Sequence, residues 1–246
     1  MEDFARVLAS LLGDVECREN SAIAFSGGLD SGILAYILKD CKPNLYTVGV
    51  EGSKDFENAK TAANVLNMPL KLIEIDEYDL IEGILFLKRI EPDISAVEIS
   101  FELPLYFVCT NADERIIYTG QGSDELFGGY HKYLEHGELM KDDIKTLLEK
   151  TRPREIRMAT LLSKELITPY LDSRIIEFSE NIPMDMKIRN GTRKWILREA
   201  AKILGVPKEI VEREKKAAQY GSGIWKMMKM MAKKRGESVE ELVKSL

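Results

Sequence analysis

Histidine and cysteine are scarce, 2 and 3 among 246 residues. His131 and His136 stand five apart, a spacing that does not stack them on one helical face, and no cysteine lies near them. A His/Cys metal centre is therefore not expected, and surface histidines are. Cys17, Cys41 and Cys109 form no Cys-x-x-Cys pair, which excludes a zinc knuckle or a dithiol redox motif. Three reduced, partly buried thiols are the expectation. No run of about 18 apolar residues occurs, so no membrane-spanning helix is expected. The opening Met1-Glu2-Asp3-Phe4 lacks the basic start of a secretory signal, which points to the cytoplasm. Basic residues are not in excess either. Lys and Arg number 35 against 41 Asp and Glu, for a net charge of -6, which disfavours nucleic acid as a partner.

What is present suits a globular core: 45% of residues are hydrophobic and 31% charged. Short apolar runs at 21–25, 45–50, 70–75 and 115–119 read as strands, and stretches at 31–38, 56–66 and 101–111 as helices. That rhythm predicts an α/β fold with a parallel sheet of about five strands flanked by helices. After Tyr130 the pattern turns helical, near 142–150, 154–164, 173–181, 193–204 and 224–235. The expected division is an α/β core over 1–130 and a helical subdomain over 131–246 that contributes to the same active site. The methionine-rich, basic stretch 225–235 reads as a packed amphipathic helix, and the tail as a short terminal one. In parallel sheets ligands bind beyond the carboxyl ends of the strands, where residues 26–30, 49–53 and 120–124 fall.

Ser26-Gly27-Gly28-Leu29-Asp30-Ser31 follows a strand and opens a helix. Glycines allow a tight turn and close ligand approach. The unpaired first amides of the helix attract an anion, and Ser26 and Ser31 add hydroxyl donors. No Gly-Lys-Ser/Thr follows, so this is not the usual ATPase loop. Asp30 would repel phosphate unless a magnesium ion stood between them. The plain alternative is a glycine turn with Asp30 and Ser31 as helix caps. A second loop, Thr119-Gly120-Gln121-Gly122-Ser123-Asp124-Glu125-Leu126-Phe127-Gly128-Gly129-Tyr130, again joins glycines to carboxylates. Asp30 and Asp124 on neighbouring loops could share one magnesium.

Together these two strings resemble the synthetase domain of asparagine synthetases and of the related beta-lactam synthetases, within the wider group of ATP pyrophosphatases. Further segments line up over about residues 20–225. Residues 48–56 (VGVEGSKDF) resemble the adenine-side loop. Pro169-Tyr170-Leu171-Asp172 resembles Pro-Phe-Leu-Asp, Lys194-Trp195-Ile196-Leu197-Arg198 resembles Lys-x-x-Leu-Arg, and 213–223 resembles the basic stretch that follows. The resemblance implies ATP and Mg2+ as cofactors and a defined chemistry: a carboxylate, aspartate or a related acid, is adenylated with release of pyrophosphate, and ammonia then displaces AMP to give an amide. It implies that Ser26, Gly27, Gly28, Asp30 and Ser31 hold the pyrophosphate and that Ala24, Val48, Thr119 and Gly120 line the adenosine site. By the same resemblance Asp30 and Asp124 bind magnesium, and Lys194 meets charge building on phosphate. Glu125 and Asp172 lie toward the amino-acid substrate. Without it, Lys194 would read as a solvated helix lysine and Asp172 as a helix cap.

The pattern departs at three places. Gln121 stands where the family usually has a glutamate that helps place or deprotonate ammonia, and glutamine cannot act as a base at neutral pH. Ile167 replaces an arginine. Ser100-Phe101-Glu102-Leu103-Pro104 replaces Arg-Ala-Ser-Thr-Pro. These changes lie on the substrate side, so ATP cleavage is expected to persist while the acid differs. About 25 residues precede the phosphate loop, too few for the family's glutaminase half. Ammonia is then expected to come free or from a separate glutaminase subunit, or the nucleophile is a different amine, and a homo-oligomer is left open. The alternatives are an ATP pyrophosphatase of RNA modification and a catalytically reduced nucleotide-binding regulator.

Overall fold

Ser21, Ala22 and Ile23 are buried on both faces, as a central parallel strand requires. A computed structural model describes residues 2–213 and 221–246. In chain order its main elements are α1 (Glu2–Gly13), β1 (Ser21–Ala24), α2 (Leu29–Ile37), β2 (Asn44–Gly49), α3 (Lys54–Leu66), β3 (Leu70–Glu74), α4 (Glu77–Ile90), α5 (Ala96–Asn111), β4 (Ile116–Tyr118), α6 (Ser123–Phe127), α7 (Leu139–Thr146), α8 (Arg152–Leu161) and β5 (Glu165–Ile167). They continue with α9 (Ser173–Asn181), α10 (Met184–Lys187), β6 (Ile188–Arg189), β7 (Thr192–Arg193), α11 (Trp195–Leu204), α12 (Lys208–Val211), α13 (Ile224–Arg235) and α14 (Val239–Ser245). The five longer strands form one parallel sheet in the order β3-β2-β1-β4-β5. This is the α/β architecture the sequence predicts.

Each face of the sheet carries its own core, because successive strand residues point to opposite sides. Ile23, Leu45 and Tyr118 pack with Leu8, Leu12, Ile33, Leu34 and Leu197 from α1, α2 and α11. Their neighbours Ala22, Tyr46 and Ile117 pack on the other side with Leu80, Leu103, Met158, Met228 and Leu242. The stretch at 225–235 is thus a packed amphipathic helix, burying Met228, Met231 and Ala232, and both histidines are exposed. The order leaves β1 between β2 and β4, so the chain departs from β1 and from β4 toward opposite sides. That switch point opens the crevice in which such sheets bind ligands.

Several elements differ from the sequence expectation. Two further helices, α1 and α4, precede β1 and β4's crossover, the second started by an Asp76–Asp79 capping box. Residues 165–167, expected at the end of and beyond a helix, form β5, with Tyr118 opposite Ile167. Three residues carry too little periodicity to read as a strand alone, and pairing with β4 decides. The sheet therefore draws its fifth strand from the second half of the chain. Residues 188–193 form a hairpin, β6-β7, through Asn190 and Gly191, both at positive φ, the Asn-Gly signature of a tight turn. Cys17 and Cys41 form a disulfide, Cα–Cα 5.8 Å, where three reduced thiols were expected; Cys109 is free and buried. The two cysteines lie on segments that enter the adjacent parallel strands β1 and β2 from the same edge, a proximity that their separation of 24 residues conceals. Among the described residues no helix is long and apolar enough to cross a membrane.

Ile23 is fully buried at the sheet centre, so Ile23→Ala is expected to lower unfolding free energy by about 2–5 kcal/mol, read as a reduced urea midpoint with an unchanged slope.

Candidate functional site

The β1–α2 loop is shaped around its main chain. Gly27 has φ +68, and a Cβ there would lie 2.7 Å from the Asn58 carbonyl of α3, so only glycine fits. The Arg213 guanidinium fastens this junction, donating to the carbonyls of Gly27 and Asn58 at 2.7 Å each. The Ser26 amide donates to Ser31 Oγ at 3.2 Å, and the Gly28 amide to Ser26 Oγ at 3.3 Å. No side chain caps the start of α2, so its first-turn amides stay directed at an incoming anion. Buried Tyr170 donates to the Asp30 carbonyl at 3.0 Å, setting the height of that turn.

Across the switch point the β4–α6 loop meets this turn back to back. A Cβ on Gly120 would stand 3.1 Å from Asp30 Cβ. Between the loops lies Lys194, 3% exposed. Its ammonium pairs with Asp30 Oδ1 at 2.7 Å and Asp124 Oδ1 at 2.8 Å, and donates to Ser123 Oγ at 2.6 Å. Burial lowers the pKa of this lysine, and the Asp30 charge opposes that shift. The side chain reaches the cluster from a left-handed residue, φ 56 and ψ 36, at the start of α11 directly after β7. Gly129 makes room: a Cβ there would fall 1.7 Å from Asp124 Oδ1 and 2.3 Å from Lys194 Cε.

The remaining sequence candidates are placed as follows. Ala24 and Val48 lie on β1 and β2, with Val48 buried in the second core. Thr119 is buried and its amide donates to the Ile167 carbonyl at 3.0 Å. Glu125 is buried and accepts from Tyr130 at 2.7 Å; burial raises its carboxyl, with the Lys194 charge acting against that. Gln121 donates through Nε2 to Glu155 Oε1 at 3.0 Å. Asp172 stands apart. It caps α9, and its carboxylate is taken by the Arg174 amide and Nε at 2.9 and 3.0 Å, which holds its pKa below the ordinary value. It lines a separate cavity of about 340 Å³ with Asp14, Arg152 and Arg174. Of the basic stretch at 213–223, residues 214–220 lie outside the described residues.

Sequence reasoning missed Tyr170 and Glu155, and gave Ser123 and Arg213 no role, because each acts through a partner remote in the chain. Ser123, Tyr170 and Arg213 lay in strings the sequence singled out, and Glu155 in none. It also missed Asp55, at the start of α3. This carboxyl is buried, and burial pushes its pKa up to about 7. A Cβ on Gly221 would come within 2.0 Å of it.

The family model for asparagine synthase matches residues 15–142 and 135–244. A putative asparagine synthetase 1 (glutamine-hydrolyzing) of Methanocaldococcus jannaschii is 31% identical over 280 residues, covering 95% of this chain and 51% of that protein. Asparagine synthetase (glutamine-hydrolyzing) of Mus musculus is 30% identical over 217 residues, covering 80% of this chain and 38% of that protein. The Homo sapiens protein of the same description is 29% identical over 246 residues, covering 89% and 42%. The chain thus spans about half the length, or less, of these relatives.

Asp55 supplies a pH test. The folded chain keeps this carboxyl protonated to about pH 7, whereas its ordinary pKa is 3.8. The native state therefore binds the extra proton in that window, and stability falls as pH rises through it. Asp55→Asn removes the loss. It is expected to be about 1–3 kcal/mol more stable than the parent at pH 8, with the gain vanishing near pH 4, measured by urea unfolding at both.

Proposed function

The chain belongs to the asparagine synthase family, and we propose that it is an ATP-dependent, AMP-forming carbon–nitrogen ligase acting on aspartate or a related acid. The observation that carries this reading is the convergence of Asp30, Asp124 and Lys194, from three separate segments, within 2.8 Å of one ammonium nitrogen. A buried lysine fixed between a phosphate-type loop and a second acidic loop is a preorganised positive charge. Such charge is effective where negative charge builds during phosphoryl or nucleotidyl transfer.

In this proposal the phosphates lie on the loop from Ser26 to Ser31 and the amides opening α2. Adenosine lies against Ala24, Val48, Thr119 and Gly120. The two carboxylates with the Ser123 and Ser31 hydroxyls are hard oxygen donors, which fits magnesium. Asp30 and Asp124 would hold it, and bound there it would supply charge neutralisation across the pyrophosphate. The substrate carboxylate attacks the α-phosphorus, the bond to the β-phosphate oxygen breaks, and pyrophosphate leaves. Ammonia then attacks the acyl carbon, the carbon–oxygen bond to AMP breaks with its electron pair on AMP, and the nitrogen gives one proton to water. Lys194 steadies the first step. Glu125, close enough to feel the Lys194 charge, lies toward the acid, and Asp172 would join it only on leaving Arg174. Residues 131–246 complete the site by carrying Lys194, and a separate glutaminase is the proposed ammonia source.

Incubation with ATP, magnesium, ammonium and candidate acids is expected to release pyrophosphate and AMP only when an acid is present. Release that depends instead on RNA would replace this reading with RNA modification, and tight ATP binding without turnover would replace it with a regulator. Lys194→Ala is expected to bind ATP within a few-fold of the parent while losing about 10²–10³ or more in kcat. Unchanged AMP formation in that variant removes Lys194 from the role.

A further inference from the structure

The cavity of about 340 Å³ beside β5 is not used by the proposed chemistry. Its walls come from the end of α1 and the segment after it, the start of α8, the end of β5 and the start of α9. Leu171 closes it toward the β4–α6 loop, since a Cβ on Gly122 would meet Leu171 Cδ2 at 2.3 Å. Tyr170, the residue before, turns instead to the Asp30 carbonyl. Leu11, Val15, Ile167, Leu171 and Ile175 make much of the lining apolar. Ile167 stands where an arginine is usual, so that departure falls in this wall.

The charged lining is not all paired. Arg174 donates from Nε and Nη2 to the Asp172 carboxylate at 3.0 and 3.3 Å, and from Nη1 to Asp14 Oδ2 at 3.4 Å. Glu16 pairs with Arg18 at 3.1 Å. Arg152, the first residue of α8, also lines the cavity and is half-buried. Its Nε is buried with no hydrogen-bond partner among the described residues. A buried donor without an acceptor is costly, and a guanidinium fork matches a carboxylate. The structure assigns this cavity as a binding site for an α-amino acid with an apolar side chain, its carboxylate on Arg152, its ammonium toward Asp14 and its side chain on the apolar wall. Charge balance selects that class. Arg152 and Arg174 cancel Asp14 and Asp172, and Arg18 cancels Glu16, so a zwitterion adds no net charge. A phosphate would add negative charge beside three carboxylates, which like-charge repulsion disfavours. Asp14 is engaged through Oδ2 alone, which leaves lone pairs for an ammonium. The site lies apart from the ATP cleft, and the inference does not rest on the ligase reading.

Calorimetric titration with L-leucine tests it, in saturating ATP and magnesium so that the cleft is occupied. Saturable binding of one leucine per chain is expected. 4-Methylpentanoate, which lacks the ammonium, and isopentylamine, which lacks the carboxylate, are each expected to bind at least about tenfold more weakly. Inorganic phosphate is expected not to bind. Arg152→Met is expected to weaken leucine about tenfold or more while ATP affinity stays within twofold. Ile167→Phe fills the apolar end from the opposite wall and is expected to abolish leucine binding with Arg152 in place, which carries the test should Arg152→Met fail to fold. No binding of leucine, or 4-methylpentanoate or phosphate binding as tightly as leucine, overturns the proposal. Parent-like leucine affinity in either folded variant overturns it too.

Discussion

An ammonium held between two carboxylates, out of water, is the constraint around which the rest of the structure is arranged. Lys194 at 3% exposure could not remain charged alone. Asp30 and Asp124 make its burial tolerable, and it makes theirs so. Removing one member of such a set leaves charge uncompensated, typically at a cost of about 3–5 kcal/mol. The set therefore ties the β1–α2 turn, the β4–α6 turn and the start of α11 into one unit. Glycines at 27 and 129 are required because the backbones and charges come closer than a Cβ would allow, and at 120 a Cβ would press on Asp30 Cβ at 3.1 Å.

The same economy of space explains why the site sits where it does. A parallel sheet with β1 at its switch point sends two loops apart from adjacent strand ends, and the gap between them is the natural place for a ligand. The helical second half is not an independent lid. It donates β5 to the sheet, Tyr170 to the phosphate-type turn and Lys194 to the cleft. Arg154 and its three glutamates form a second, separate polar core on the far side of the β4–α6 loop. That loop is thus held from both sides, by Lys194 at Ser123 and Asp124 and by Glu155 at Gln121.

Much of this was legible in the chain. Four of the five sheet strands follow from local periodicity and the two glycine–carboxylate strings from their composition, while the lysine motif was read only through the family resemblance. Local signals sufficed because β1, β2 and the loop after each strand are built from neighbours in sequence. The hairpin at Asn190-Gly191 was not read from the sequence, because the segments on either side of it read as helical. Asp172 shows the opposite case. Its motif placed it on the substrate side, while Arg174, two residues on, takes its carboxylate.

What the sequence by itself determined is the kind of fold and the place of its two glycine–carboxylate turns, since strand–helix alternation, glycine turns and carboxylates set beside them are local properties of the chain. Which groups meet was decided only by tertiary structure. The Lys194–Asp30 pair spans 164 residues, Tyr170–Asp30 spans 140, and Gln121–Glu155 spans 34. The same holds for the Cys17–Cys41 disulfide, the three-residue β5 and the unsolvated Asp55. Electrostatic and hydrogen-bond energies depend on distance and on exclusion of water, and neither quantity exists until the sheet has closed its neighbours around them.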